Sequence, residues 1–465
     1  MRKLKQLLLR RGMVPRILID FLQRISDSPL RSRVASGVFW SVSGGGASRL
    51  LALLSAVVIA RIIGRKEFGE LGIIQNTVGV FSLVAAFGMD TTTMKYVAEF
   101  RSKDPARTGR IIRLAEMVSA GVGLSIALVF VVLSPWVAGS ILAAPHLKPL
   151  LQVGAVLLFC GAVNSSQTGS LAGFEAFKTI MIINVITGAI SFTTSLIGVY
   201  YLGLQGVVYA MIATMAVTLA INHIMVGRVA KRSNVVLSYR SSFQERSIIM
   251  KFSLPAMLSG IVVMAATWLS TAMLVNSPFG YEEMGMYNAA NVWKAPILFF
   301  PSVFATIFLS IMSNLAGEKN QESYDKVLKY YLVLNGGIAL VVAAVIALFS
   351  SSIMSVYGSE FSGGGIVLMI LALASIPVAV GNVLDNAISS HGKAWVSLVI
   401  NSAWACVCIG LTWALLGWGA KGLVTALGIS YALLALGRGS YLYGALLARS
   451  RAVPLHGSRS GSEGI

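Results

Sequence analysis

A chain of 465 residues in which 56% of side chains are hydrophobic, 12% are charged and the mean hydropathy is +0.78 lies outside the range of soluble domains and reads as an integral membrane protein. Its excess of 37 Lys and Arg over 18 Asp and Glu follows from the clustering of basic residues in cytoplasmic loops, so nucleic acid is not an expected partner. Cys160, Cys406 and Cys408 sit inside apolar runs and read as small buried hydrophobes; no metal and no cofactor is expected.

In chain order, residues 1–35 form a basic cytoplasmic segment with nine Lys and Arg interleaved with Leu and Ile, read either as an interfacial amphipathic helix or as a disordered tail that orients the first span. Apolar runs then recur near 36–60, 70–90, 112–136, 149–173, 178–201 and 204–226, and again near 252–276, 286–312, 328–350, 366–389, 394–416 and 421–446. Each is long enough for a membrane helix. The spacing predicts an all-α integral membrane fold of twelve transmembrane helices: a first lobe at 36–227, a basic cytoplasmic linker at 228–251, a second lobe at 252–446 and a cytoplasmic tail at 447–465. With the N-terminus cytoplasmic, 29 Lys and Arg fall on inner segments, five on outer loops and three inside spans, Arg49, Lys294 and Arg438. That asymmetry places both termini in the cytoplasm.

A weak internal repeat supports two lobes. Phe68-Gly69-Glu70-Leu71-Gly72 resembles Tyr281-Glu282-Glu283-Met284-Gly285, with Gly72 and Gly285 separated by 213 positions. Leu202-Gly203-Leu204-Gln205-Gly206-Val207-Val208 parallels Gly417-Trp418-Gly419-Ala420-Lys421-Gly422-Leu423-Val424, with Gly206 and Gly422 216 apart. Equivalent points six helices apart enter the membrane in the same sense, so the lobes should be related by a pseudo-two-fold axis along the membrane normal.

Arg49 is the conspicuous residue of the first span, 13 residues after Ser36 and 12 before Arg61. An unpaired arginine there costs roughly 2.5–3.5 kcal/mol on insertion scales, so it needs an internal acid, such as Asp90 or Glu116, or an anionic cargo. Lys294 lies 8 residues beyond Met286, about 12 Å deep at the helical rise; it either faces the interior or snorkels outward. Arg438, near a cytoplasmic helix end, is expected to snorkel.

The runs Ala60-Arg61-Ile62-Ile63-Gly64-Arg65-Lys66-Glu67-Phe68-Gly69, Tyr96-Val97-Ala98-Glu99, Phe252-Ser253-Leu254-Pro255 and Glu283-Met284-Gly285-Met286-Tyr287-Asn288 resemble oligosaccharide flippases of the Wzx, or polysaccharide transporter, type over roughly residues 34–450. The resemblance implies a two-lobed transporter with a central cavity that moves a polyprenyl diphosphate-linked sugar from the inner to the outer leaflet. Membrane lipids and downstream polysaccharide-assembly proteins would be its other partners. For such a cargo, Arg49 and Lys294 on opposite lobes are the candidate diphosphate ligands. Asn164 and Gln167 on the fourth helix, and Asn382 and Asn386 on the tenth, are candidate polar lining of the cavity; interhelical hydrogen bonding is the other reading. Asp90 and Asp385 are candidate coupling acids, or ordinary interfacial carboxylates. With no GxxxxGK[ST] loop in the chain, ATP hydrolysis is not expected. A cation-coupled multidrug extruder would want deep carboxylates where this chain has deep cations. A membrane-embedded polysaccharide polymerase or ligase would want a sizeable outer loop, which the spacing does not provide.

Overall fold

The computed structural model describes residues 29–239, 242–278, 280–317, 321–390 and 394–452. Most of the basic N-terminal segment and the greater part of the 447–465 tail lie outside these residues. Every regular element among the described residues is helical: α1 Pro29–Ala86, α2 Met89–Phe100, α3 Pro105–Trp136, α4 Lys148–Gly173, α5 Phe177–Arg232, α6 Arg246–Val275, α7 Gly280–Asn291, α8 Lys294–Gly317, α9 Gln321–Leu348, α10 Ser350–Val356, α11 Gly365–Ser390, α12 Ala394–Leu415 and α13 Gly419–Ala452. Seven helical runs among them are long and apolar enough to cross a membrane, with two shorter apolar helices at Gly260–Val275 and Lys294–Ala305.

Two of the helices are too long to be straight. At 58 and 56 residues, α1 and α5 would each extend about 85 Å, against a bilayer core of about 30 Å. Both contain a glycine at positive φ, Gly64 (φ 77°) and Gly203 (φ 57°), a conformation that costs glycine little. At Gly203 the chain doubles back: Thr194 and Thr214, twenty residues apart in sequence, have their hydroxyl oxygens 3.2 Å apart. The same device joins α12 to α13 at Gly419, which brings the rings of Trp404 and Tyr431 within 5.1 Å. Gly203 (φ 57°, ψ −136°) and Gly419 (φ 60°, ψ −136°) share one backbone conformation and lie 216 residues apart, the offset of the sequence repeat.

The other repeated segments pack on each other. A β-carbon on Gly69 would lie 2.0 Å from the Tyr281 carbonyl oxygen, and one on Gly285 would lie 1.9 Å from that of Arg65, so α1 and α7 meet backbone to backbone. Asn288 Nδ2 donates to the Phe68 carbonyl across this contact at 3.2 Å.

The apolar core follows the same division. One continuous cluster joins both halves of the sequence around Phe68, Phe130, Met284, Tyr287, Tyr357 and Phe361. This is the end of the molecule marked by Gly64, Gly203 and Gly419, called here the glycine end. Toward the opposite end, where the 228–251 linker lies, the described core divides in two. Val97, Ile112, Leu171 and Val226 cluster within the first half, and Met312, Tyr324, Tyr331 and Val383 within the second.

Candidate functional site

Arg49 lies where the two halves of the chain meet. The Gly44-Gly45-Gly46 run leaves its helix thin: a β-carbon on Gly44 would lie 2.4 Å from Met181 of α5, and one on Gly45 would lie 3.4 Å from the ring of Phe299 on α8. The half-buried guanidinium of Arg49 stands over that same Phe299 ring, 4.4 Å from its centroid. No carboxylate pairs with it among the described residues. Glu116, one of the acids considered for it, is bound by Arg113 at 2.5 Å. Asp90 is exposed at the other end of the α1–α2 arm, its backbone packed against Gly169. A cation–π contact supplies about 0.5–2 kcal/mol, less than the roughly 2.5–3.5 kcal/mol cost of the buried charge. No described residue offsets the remainder, which leaves it to water or an anion.

Lys294 points elsewhere. It opens α8 directly after the break at Val292-Trp293, with its ammonium 4.9 Å from the ring of Tyr431 on α13. It lines a cavity of ≈ 10 Å³ with Tyr287, Asn291, Ser375 and Tyr431, all from the second half and with room for about one water. Lys294 and Phe299, five residues apart on one helix, are separated by about 140° around its axis. Lys294 therefore faces the interior of the second half while Phe299 faces Arg49, and no described contact joins the two cations.

The polar candidates are distributed differently in the two halves. Asn164 is buried and engaged: its Nδ2 donates to the Met215 carbonyl at 3.3 Å, and its Oδ1 accepts from Asn222 at 3.1 Å. Gln167 is 1% exposed, and its Oε1 has no hydrogen-bond donor. Asn382 is exposed, and Asn386 Nδ2 donates to the Tyr331 hydroxyl at 3.4 Å. Asp385 pairs with Arg438 at 3.1 Å. Arg438 is 5% exposed and does not snorkel; its guanidinium also donates to the Gly381 carbonyl at 2.9 Å and to Asn401 Oδ1 at 2.8 Å. Burial is tolerated because three acceptors surround the charge. Cys160 and Cys408 are buried as expected, whereas Cys406 is exposed on the outer face of α12.

Sequence reasoning passed over a polar seal at the glycine end. Arg65 Nη2 lies 3.1 Å from Glu283 and 3.6 Å from Glu282, Nε donates to the Glu282 carbonyl at 2.9 Å, and the Arg65 backbone N–H donates to Glu360 at 2.9 Å. Glu283 in turn accepts from the Ala420 N–H at 2.8 Å, just past the Gly419 turn. Arg61 donates to the Val356 carbonyl, Asn276 to that of Ile141 and Tyr281 to that of Leu142. Arg61, Arg65, Asn276 and Tyr281 thus each make at least one contact that joins the first half of the chain to the second. The available signal was the placement of Glu283 inside one repeated segment and of Arg65 three residues before the other.

This architecture matches known transporters. A family model described as "Polysaccharide biosynthesis protein" matches residues 34–308, and one described as MatE matches 255–414. The chain is 20% identical over 321 residues to "EPS I polysaccharide export inner membrane protein EpsE" of Ralstonia nicotianae, covering 62% of this chain and 73% of that protein. It is 24% identical over 357 residues to "Probable low-salt glycan biosynthesis flippase Agl15" of Haloferax volcanii, covering 76% and 71%. In three dimensions it superimposes with a TM-score of 0.75 on a structure described as the inward-facing conformation of a multidrug resistance MATE family transporter of the MOP superfamily. That match has 16% identity and covers 89% of this chain and all of the other. With the first model matched over more than half of its length, the chain belongs to the polysaccharide biosynthesis protein family.

Proposed function

We propose that this protein flips a polyprenyl diphosphate-linked oligosaccharide from the cytoplasmic to the outer leaflet by alternating access between two six-helix lobes. Turning the three long apolar runs at Gly64, Gly203 and Gly419 and adding the two shorter apolar helices gives twelve passes, in keeping with the sequence spacing. The basic 228–251 linker then lies on the cytoplasmic side with both termini, and the glycine end faces outward. In this orientation the continuous core and the Arg65 seal close the outer side, while the divided core at the linker end leaves the cytoplasmic side open to cargo.

The observation that carries the reading is Arg49: a guanidinium in mid-span, at the junction of the halves, resting on an aromatic ring with no described carboxylate to neutralise it. Diphosphate is the ligand it suits, since the planar donor fork meets phosphate oxygens in pairs. The names of the two relatives, an export protein and a glycan flippase, agree with such a cargo. Lys294 and Asn382 are second contacts available from the other lobe once the halves rearrange, and Asn386 extends the same polar face. The MatE match and the MATE-type superposition favour a second reading, export of a small drug-like cation.

Reconstituted vesicles loaded with a fluorescent lipid-diphosphate sugar distinguish the two readings. The native protein should translocate the lipid, and Arg49→Ala should lose most of the rate; undiminished flipping by the variant would remove Arg49 from the mechanism. Export of a cationic dye without lipid movement would assign the chain to the extruder branch.

A further inference from the structure

A second group of charges, remote from Arg49, lies at the linker end of the first half. Glu116 of α3 is 7% exposed; Arg113 binds its Oε2 at 2.5 Å, and its Oε1 has no hydrogen-bond donor. Nδ1 of His223 on α5 lies 3.9 Å from that free oxygen, on a side chain that is 54% exposed. Helical register surrounds the pair with polar groups. Ile112, Leu171 and Val226 form one buried apolar layer, and one turn deeper on the same three helices come Glu116, Gln167 and Asn222. Two further buried oxygens near this level have no partner, Oγ of Ser119 and Oε1 of Gln167. A buried layer rich in unsatisfied oxygen is a place for a proton or water, not for more carbon.

The other face of Arg113 holds the linker. Its guanidinium stands 4.7 Å from the ring of Tyr239, and a β-carbon on Gly109 would lie 2.0 Å from the Val236 carbonyl, so the irregular 234–239 segment is laid directly along α3. Farther along, Glu245 fastens the linker with ion pairs to Arg107 at 3.0 Å and to Arg110 at 3.2 Å. Arg113 is therefore shared between a buried acid and the strap that connects the two halves.

We propose that Glu116 is a proton-binding site that controls this strap. A proton on the imidazolium of His223 passes to Oε1 of Glu116, leaving a neutral imidazole and a neutral carboxyl. Arg113 then loses the anion that orients it, turns toward water and releases Tyr239. Glu245 keeps its two arginines, so the release is confined to 234–239. The charged and titratable groups facing Glu116 are Arg113 from its own helix, His223 from α5 and Tyr239 through Arg113. From α4 come Asn164 and Gln167, which carry no charge, and Asp90, Lys95 and Glu99 of α2 are exposed. The inference adopts the two-lobed alternating reading but not its cargo, and its test involves none, so it can fail while the cargo assignment stands.

The test is amide hydrogen exchange of the full chain in lipid nanodiscs across a pH series, expressed as protection relative to the unstructured rate at each pH. Native protection at 234–239 should fall about tenfold on acidification while 242–245 keeps its protection. Glu116→Gln should be as unprotected at high pH as the native chain at low pH, Arg113→Met should match it, and Glu175→Gln should behave as native. A linker equally protected at all pH values, or pH-dependent protection that survives in both Glu116→Gln and Arg113→Met, overturns the proposal. Infrared difference spectra after a pH step give a second readout: a protonated-carboxyl band lost in Glu116→Gln supports the site, and one retained refutes it.

Discussion

Arg65→Ala should tip the protein away from the state closed at the glycine end. The substitution removes the ion pairs to Glu283 at 3.1 Å and Glu282 at 3.6 Å and the bond to the Glu282 carbonyl at 2.9 Å, but leaves the Arg65 backbone bond to Glu360 in place. The side chains of Arg65 and Glu283 are 21% and 28% exposed, so solvent screens the pair and it is worth about 0.2–1 kcal/mol. The carbonyl bond adds about 1 kcal/mol. A loss of about 1–2 kcal/mol, felt only in the closed state, changes the closed-to-open ratio by about 5- to 30-fold. Spin labels at Lys66→Cys and Lys421→Cys, both exposed at this end, in a chain lacking its native cysteines, would report the separation of the halves. Arg65→Ala should enrich the longer distance, and Glu283→Gln should do so more weakly, because an amide oxygen can still accept from Ala420. Identical distance distributions in the native and Arg65→Ala proteins would show that the packed backbones of α1 and α7 hold this end shut by themselves.

Other expectations follow from the packing. A β-carbon on Gly206 would lie 1.9 Å from the Gly198 carbonyl oxygen, so Gly206→Ala should cost about 1–3 kcal/mol and lower the thermal midpoint in detergent, as should Gly422→Ala against Leu415. Arg438→Met should destabilise by about 3–5 kcal/mol, because Asp385, Asn401 and the Gly381 carbonyl lose a common donor. Adding Asp385→Asn should recover part of that loss, as measured in a double-mutant thermal cycle. Lys294→Gln should leave stability nearly unchanged, since Tyr431 is the only aromatic ring its ammonium stands over among the described residues; its flipping rate reports whether the second half contributes a cation to the path.

Much of this protein is written in its order of residues. Composition makes it a membrane protein, because no soluble fold covers so much apolar surface. The shared turn at Gly203 and Gly419 falls at the repeat offset, because a glycine-specific backbone conformation leaves a mark in sequence. Arg49 announced itself by depth alone, since distance along a helix is counted in residues. Azimuth could not be counted in this way. In a membrane helix apolar residues cover the face toward lipid and the face toward protein alike, so periodicity does not say which neighbour a side chain meets. Only the tertiary packing turned Lys294 into its own half and Phe299 toward Arg49. It also buried Arg438 among three acceptors where snorkelling was expected, left Cys406 exposed, and brought Arg65 to Glu283 across more than two hundred residues.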